Sequence, residues 1–285
     1  GPVVPRRFLE VLTAGKLKPF QHGSGRLELA RALFDDGHPL VARVIVNRIW
    51  EQHFGYGLVR TPSNFGTQGQ RPSHPALLDD LAARFVAHDW SLKWLHREIL
   101  SSATFQQSSR NRPDGVAHDP GNRLLWHFSP RRLAIEPWRD AMLQVTGSLD
   151  QRLGGPSGDL GNLKNSRRTL YGKIDRKTLN VILKMHDFPD PGTHSPRREP
   201  TTTPVQQLFA MNSPFLFQQA DRLAGQIRTN RGQPTRSTIH NAYRVLFQRS
   251  PTDDELSIGE TFLETGQSPD VKTVSYTHLR AHETD

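Results

Sequence analysis

Apolar side chains recur at helical spacing along most of the chain, and this pattern predicts a mainly α-helical protein. Capping residues, Gly and Pro mark where the helices begin and end. The predicted helices cover residues 26–34, 39–54, 73–88, 136–145, 177–185, 205–211, 214–227 and 237–248, with further helices beginning at Ser91 and at the capping box 252–255. Residues 103–122 are predicted to form a loop, whereas residues 169–174 predict a minor β-hairpin element.

The distribution of Gly and Pro predicts a multi-helix domain in two closely packed halves. The apolar periodicity stops after Gly266, and the end of the chain resembles a read-through peptide. The predicted segments are an N-terminal arm at 1–23, a helical N-terminal half at 24–151, a Gly/Pro/Ser-rich connection at 152–166, a C-terminal half with a Pro-rich loop at 167–266, and a non-native, disordered tail at 267–285.

The predicted helix 39–54 is apolar on nearly all sides, which is typical of a buried helix. Arg43, Asn47 and Glu51 nevertheless form one polar stripe along it, at i, i+4 spacing. Buried polar groups require partners, so one interpretation is an internal hydrogen-bond network that braces several loops. The other interpretation is a ligand cleft faced by one or more of Arg43, Asn47, Arg48 and His53.

Composition narrows the chemistry that this chain can carry. The 285 residues include no Cys, which excludes disulfides, zinc knuckles, iron–sulfur ligation and covalent attachment of haem c within the chain. No apolar run is long enough for a transmembrane helix, so no membrane span is expected in this segment. G-x-S-x-G, G-x-G-x-x-G and Walker motifs are absent as well. No cofactor is therefore expected in this chain.

The chain is basic, with 37 Lys and Arg against 28 Asp and Glu, a formal net charge of +9. Nucleic-acid-binding surfaces need clustered basic residues, whereas the arginines here occur in short pairs beside apolar or turn residues. The pairs are Arg6-Arg7, Arg131-Arg132, Arg167-Arg168 and Arg197-Arg198. This arrangement indicates internal bracing or binding of a compact anion, and no nucleic acid is expected as a partner.

The Pro-rich loop 187–204 and the residue before it form the densest polar cluster in the chain. Neutral imidazoles and carboxylates suit divalent metals such as Zn, Mn or Fe, and the weak candidates for metal ligands are His186, Asp187, Asp190 and His194. Alternatively, Asp187 and Asp190 accept N–H groups of turns and pair with Arg197 or Arg198. Loops of ionisable groups on a helical scaffold are typical places for a site.

A second polar cluster lies on the predicted helix 136–145. Glu136, Arg139 and Asp140 share one side of that helix, at i, i+3 and i+4. They are predicted to meet Arg167 or Arg168 across the core in an ion-pair network.

Four long segments together resemble one known family: VARVIVNRIWEQHFGYGLVRTPSNFG at 41–66, HPALLDDLAARFVAHDWSLKWLHREILSSATFQQSS at 74–109, RRTLYGKIDR at 167–176 and MHDFPDPGTHSPRREPTTTPVQQLFAMNSPF at 185–215. The family is the planctomycete-specific C-terminal domain of unknown function, found in large envelope proteins with an N-terminal cytochrome c-like domain. The family's matching polar positions carry no agreed catalytic role. In this sequence they are Arg43, Asn47, Arg48, His53, Arg139, Asp140, Arg168, Asp187 and Arg198.

The resemblance implies a fragment of a secreted multidomain protein, with an extracytoplasmic location in the periplasm or cell envelope. It also implies partner domains upstream in the same polypeptide, one of which holds haem c. The expected function is that of an accessory or ligand-binding domain. The alternative is a hydrolase of anionic polysaccharide, in which an Arg-rich cleft grips sulfate or carboxylate groups near Asp187 and His194. Convergence of Arg43, Asn47, His53, Asp187 and Arg198 in a deep pocket favours an enzyme or a ligand site, and their burial in closed ion pairs favours a scaffolding role.

Overall fold

The structure is a computed structural model, and it describes residues 4–10, 18–35, 39–227 and 235–264. The predicted tail at 267–285 lies outside these residues. The helices of the described residues are α1 (Arg26–Asp35), α2 (Pro39–Phe54), α3 (Pro75–Ala87), α4 (Leu92–Leu100), α5 (Ala103–Gln106), α6 (Pro113–His118), α7 (Ile135–Val145), α8 (Val181–Met185), α9 (Pro204–Asn212), α10 (Pro214–Ile227), α11 (Thr235–Phe247) and α12 (Asp253–Glu264). The prediction of a mainly α fold is confirmed.

Two local predictions are wrong. The predicted loop 103–122 contains α5 and α6, because Ser102 caps α5 by accepting the Phe105 N–H and Pro113 occupies the first turn of α6. The predicted strand at 169–171 is a 3-10 helix (Thr169–Tyr171), closed by the Tyr171 N–H donating to the Arg168 carbonyl. β pairing within the described residues consists of isolated bridges.

The chain forms two compact units, residues 1–131 and residues 132–285. The predicted connection at 152–166 lies inside the second unit. The reason is that Leu160, from this stretch, is buried in one apolar cluster with Ile135 of α7 and Leu183 of α8. Helix α7 therefore groups with the C-terminal elements that follow it, including the 3-10 helix and α10.

The core of the first unit lies where α2 packs on α3 and α4. Helix α2 buries one stripe completely, and most of its other residues are half-buried, while Arg48 is exposed. The fully buried apolar members of this core are Ala42, Val46, Trp50, Phe54, Leu58, Val59, Leu78, Leu81, Ala82, Phe85, Leu95 and Ile99. Burial on this scale supplies the main stabilising term of the unit.

The second unit contains a further apolar cluster between α11 and α12, built on Ile239, Tyr243 and Leu256. The predicted capping box at the start of α12 is confirmed. The Thr252 N–H donates to Glu255 Oε2 at 2.8 Å, and the Glu255 N–H donates to Thr252 Oγ1 at 3.3 Å. Among the described residues, no helix is both long and apolar enough to cross a membrane.

Candidate functional site

Asn47 clamps the loop that follows α2. Its side-chain oxygen accepts the Val59 N–H at 2.7 Å, and its amide N–H donates to the Val59 carbonyl at 3.0 Å. Asn47 is completely buried, so both polar atoms of its amide are used internally. Gly57 packs against this amide, and a Cβ at Gly57 would lie 2.5 Å from Asn47 Nδ2. Asn47 is therefore a brace for the loop rather than a residue that faces a ligand.

Two of the other candidates on α2 lie at the surface of the first unit. Arg43 pairs with Asp79 of α3, with 2.6 Å between Arg43 Nε and Asp79 Oδ1. The Arg43 hydrogen bond outweighs partial desolvation and lowers the pKa of Asp79. Arg48 is exposed. Arg43 thus links two helices, and Arg48 can be reached by an external ligand.

His53, at the last turn of α2, forms a histidine pair with His96 of α4. The His53 Nε2 and His96 Nδ1 atoms lie 2.8 Å apart, and the two rings are nearly perpendicular. Arg131 donates to the Gln52 carbonyl at 2.6 Å. Burial, followed by the nearby His96 and Arg131, lowers the pKa of His53. The sequence analysis placed Arg131 among the paired arginines and missed His96, because nothing in their spacing links either residue to His53.

In the second unit, Arg139 of α7 braces the segment before the 3-10 helix. The residue is 3% exposed, and its guanidinium donates to the Arg167 carbonyl at 3.0 Å, to Thr169 Oγ1 at 3.2 Å and to the Asn165 carbonyl. Burial lowers the pKa of Arg139, and the neighbouring Asp140 partly opposes this. The buried cation is satisfied mainly by main-chain oxygens.

Asp140 fixes the same segment from the other side. Its Oδ1 accepts both the N–H and the hydroxyl of Thr169, each at 2.7 Å. Its Oδ2 lies 3.8 Å from Arg168 Nε, and the Arg168 side chain is 46% exposed. In the predicted network, the carboxylate of Asp140 therefore meets Arg168, whereas Arg139 binds main-chain oxygens instead of a carboxylate.

Arg167 holds the Gly/Pro/Ser-rich stretch in place. Its guanidinium donates to the Pro156 carbonyl at 2.9 Å and to the Gly154 carbonyl, and it lies 4.2 Å from the centre of the Tyr171 ring. The Gly154 N–H in turn donates to the Tyr171 hydroxyl. A stretch rich in glycine is thus given a defined conformation by one arginine and one tyrosine.

Glu136 and Arg198 form a two-pronged ion pair between α7 and the Pro-rich loop. Arg198 NH1 and NH2 donate to Glu136 Oε2 and Oε1 at 2.7 and 2.6 Å. The Arg198 guanidinium also lies 4.7 Å from the centre of the Phe188 ring. Burial alone would raise the pKa of Glu136, but the hydrogen bonds from Arg198 and the backbone, with the charge of Arg198, lower it.

The weak metal candidates make separate local contacts. Asp187 accepts the N–H and hydroxyl of Thr201, and Asp190 accepts the Gly192 N–H at 2.7 Å. His186 Nδ1 lies 2.8 Å from the Ile182 carbonyl oxygen, and its ring packs against Trp138 and Phe209. His194 is exposed. The described part of the chain contains no group of three or more His, Asp or Glu placed to hold a metal ion.

Gln206 is a polar anchor that sequence reasoning missed. It is 2% exposed, and its amide oxygen accepts from Arg132 at 2.8 Å while its N–H donates to the Met185 carbonyl at 2.9 Å. Together with Thr203 it forms a capping box at the start of α9. The signal was present in the sequence as a Thr followed three residues later by Gln.

The two units divide the candidate residues between them. The first unit contains Arg43, Asn47, Arg48 and His53, and the second contains Arg139, Asp140, Arg168, Asp187, His194 and Arg198. Within each unit most of these side chains bond to main-chain groups or to an opposite charge of the same unit. This arrangement stabilises loops, and it leaves Arg48 and Arg168 as arginines with much exposed surface.

A search of curated proteins and a search of solved structures each found no match. The model of the family described as PSD1, protein of unknown function (DUF1553), matches residues 25–263, and the chain therefore belongs to this family.

Proposed function

We propose that this chain is an accessory domain of a secreted multidomain protein, that it has no catalytic centre of its own, and that it works beside an upstream cytochrome c-like module. The observation that carries the proposal is the use of the arginines. Arg139, Arg167 and Arg198 direct N–H groups to oxygens of the same unit, and the Nε of Arg167 is buried without a partner. The N–H groups that are bonded in this way are not available to grip a substrate.

The carboxylates support the same proposal. A general base needs a lone pair within reach of a substrate proton. Asp140 Oδ1 and both oxygens of Asp187 instead accept hydrogen bonds from Thr169 and Thr201. These hydrogen bonds give both carboxylates a structural use, which supports the accessory function over the alternative, hydrolysis of anionic polysaccharide.

An accessory domain can also bind an acidic saccharide, and we propose that Arg48 and Arg168 each contribute to such binding. Affinity electrophoresis in gels containing polygalacturonate tests it. The expected result is slower migration of the chain, reduced by Arg168→Gln or Arg48→Gln and unchanged by the control Arg110→Gln at another exposed position. Equal loss in all three variants indicates nonspecific charge attraction and contradicts the proposed contact.

An activity assay with the same purified chain distinguishes the accessory function from the hydrolase function. The chain is incubated with polygalacturonate and with chondroitin sulfate, and new reducing ends are measured. The accessory function predicts no more reducing ends than in the buffer control. Turnover that is lost in Asp187→Asn would contradict it and favour the hydrolase.

The multidomain setting is tested on the native protein. An antibody against this domain is used to recover the natural polypeptide from fractionated cells, and covalent haem on that polypeptide is measured by its pyridine haemochrome spectrum. The proposal predicts recovery from the envelope fraction with stoichiometric haem c. A haem-free polypeptide in the cytoplasmic fraction contradicts it.

A further inference from the structure

The His53–His96 pair is a hydrogen bond between two imidazoles, and it joins the end of α2 to α4 in the first unit. The nitrogen atoms are 2.8 Å apart, which is a full hydrogen bond. Such a bond needs one N–H and one lone pair, so at least one ring must be neutral. The contact therefore depends directly on the number of protons that the two rings carry.

The surroundings of the pair contain positive charge and aromatic surface. From α4 the facing titratable group is His96 itself, and from the segment after α6 it is Arg131. From α5 the facing group is the ring of Phe105, whose centre lies 5.8 Å from that of His53. The charged groups that act on His53 among the described residues are thus all potential cations, with no carboxylate among them.

Two carboxylates lie close to the pair in sequence, but on other sides of their helices. Glu51 and Glu98 are each two residues from a histidine of the pair, which places them roughly 200° away around their helices. Glu98 accepts a hydrogen bond from Arg84 at 2.6 Å. A second proton on the pair would therefore put cationic His53 and His96 beside Arg131 without a compensating charge.

We infer that the His53–His96 pair is an acid-sensitive latch, which closes the last turn of α2 onto α4 when at least one ring is neutral and opens when both rings are protonated. The first proton leaves the bond intact, as an imidazolium N–H donating to a neutral imidazole. The second removes the last lone pair between the rings and adds repulsion. Opening exposes the aromatic cluster of Phe54, Phe105 and Phe128, which pack against one another beside the pair.

Arg131 adds to the sensitivity of the latch. Its side chain packs against Gly55, where a φ of +84° turns the chain at the end of α2. Its guanidinium donates a hydrogen bond to the Gln52 carbonyl. A Cβ at Gly55 would lie 2.9 Å from Arg131 Cδ, so the glycine is required for this close approach. Burial, then the charge of His96, then the fixed charge of Arg131 lowers the pKa of His53.

The test is hydrogen exchange of backbone amides in the intact chain between pH 7.5 and 4.5, corrected for the intrinsic pH dependence of exchange. The probes are the amides of Gly55, which donates to the Glu51 carbonyl, and of Leu95, which donates to the Ser91 carbonyl. Where the closed pair is neutral, opening takes up two protons and the opening constant rises by up to about 100-fold per pH unit, against at most about 10-fold where the pair already carries one proton or where one histidine titrates.

The matched variant is His53→Gln with His96→Asn, because the two amides place hydrogen-bonding atoms near Nε2 and Nδ1 and do not titrate in this range. It is expected to remove the steep increase at Gly55 and Leu95. The control His74→Asn removes another imidazole of the first unit, one that contacts Ser73, and is expected to keep the increase. The same pH dependence in the double variant and in the native chain overturns the inference.

If the double variant does not fold, the inference is tested with the native chain. The 15N shifts of the His53 and His96 rings are followed over the same pH range. The inference predicts that the second protonation step coincides with loss of amide protection at Gly55. Protonation of both rings with unchanged protection overturns it.

Discussion

The Glu136–Arg198 ion pair is expected to stabilise the second unit far more than a typical surface pair. The perturbation is a double-mutant cycle that combines Glu136→Ala with Arg198→Ala. The comparison cycle uses Asp79→Ala and Arg43→Ala in the first unit. Both pairs join elements distant in sequence, with closest N–O distances of 2.6 Å, so the contrast between them lies mainly in geometry and exposure.

The expected magnitudes follow from that contrast. The Glu136 and Arg198 side chains are 23% and 33% exposed and share two charge-assisted hydrogen bonds, whereas Asp79 is 54% exposed and shares one such bond with Arg43. Hydrogen bonds that involve charged groups are worth about 1.5–3 kcal/mol, so the coupling energy of Glu136 with Arg198 is expected to be about 2 kcal/mol. For the exposed pair it is expected to be below about 1 kcal/mol.

Urea unfolding of 5-fluorotryptophan-labelled protein, followed by 19F NMR, measures both cycles. Of the five tryptophans, Trp138 lies in the second unit and the other four lie in the first. Each unit therefore has its own probe, and the free energy of unfolding of one unit can be separated from that of the other. The Trp138 signal reports the Glu136–Arg198 cycle, and the signal of Trp50 reports the control.

A coupling energy for Glu136 and Arg198 that is no larger than that of Asp79 and Arg43 would refute this reasoning. It would mean that desolvation of the half-buried charges cancels their attraction, as is known for some buried pairs. The cycle is informative in either case because effects of each alanine on helix propensity cancel in the coupling term.

Three further changes test other contacts. Asn47→Leu leaves the buried N–H and carbonyl of Val59 without partners and is expected to lower the free energy of unfolding of the first unit by about 2–4 kcal/mol in urea. Gly57→Ala, whose Cβ would lie 2.6 Å from the Val59 oxygen, is expected to destabilise the same unit and to lower its urea midpoint. The Arg249 hydrogen bonds lower the pKa of Glu255 from 4.5 to about 2, so its contribution is complete above pH 4.5 and is lost as the pH falls toward 2. Glu255→Gln should remove that part of the pH dependence of unfolding, and an unchanged dependence would contradict it.

The helices were largely predictable because their signals are local. Two examples are the Ser91 cap and the capping box at Thr252, each of which involves residues within a few positions of one another. The short helices α5 and α6 escaped prediction because four or six residues cannot establish a helical period.

The segment at 169–171 shows where local preference fails. Thr169, Leu170 and Tyr171 favour a strand by residue type. In the fold, Asp140 accepts the Thr169 N–H and hydroxyl, and this contact across 29 positions fixes the chain in a 3-10 turn. The β preference is therefore overridden by a tertiary contact that sequence periodicity does not encode.

The sequence was sufficient to predict which residues of the candidate site are polar and need partners, but it did not identify the groups that they contact. Asn47, Arg139 and Asp140 were identified as polar groups in need of partners, and each has them. The actual acceptors of Arg139 are main-chain oxygens, which every residue possesses and which no motif marks. His96 likewise has no sequence signal, because it meets His53 only through the packing of α4 on α2.

The central claim, that the arginines brace loops instead of binding a ligand, is tested most directly by amide hydrogen exchange in Arg139→Met. The variant leaves the Asn165 and Arg167 carbonyls without this donor. We predict at least about 10-fold faster exchange of the amides of Asp150 and Gly158, which bond to Ser166 and Tyr171, with the first unit unaffected. Unchanged protection of both amides would contradict the account.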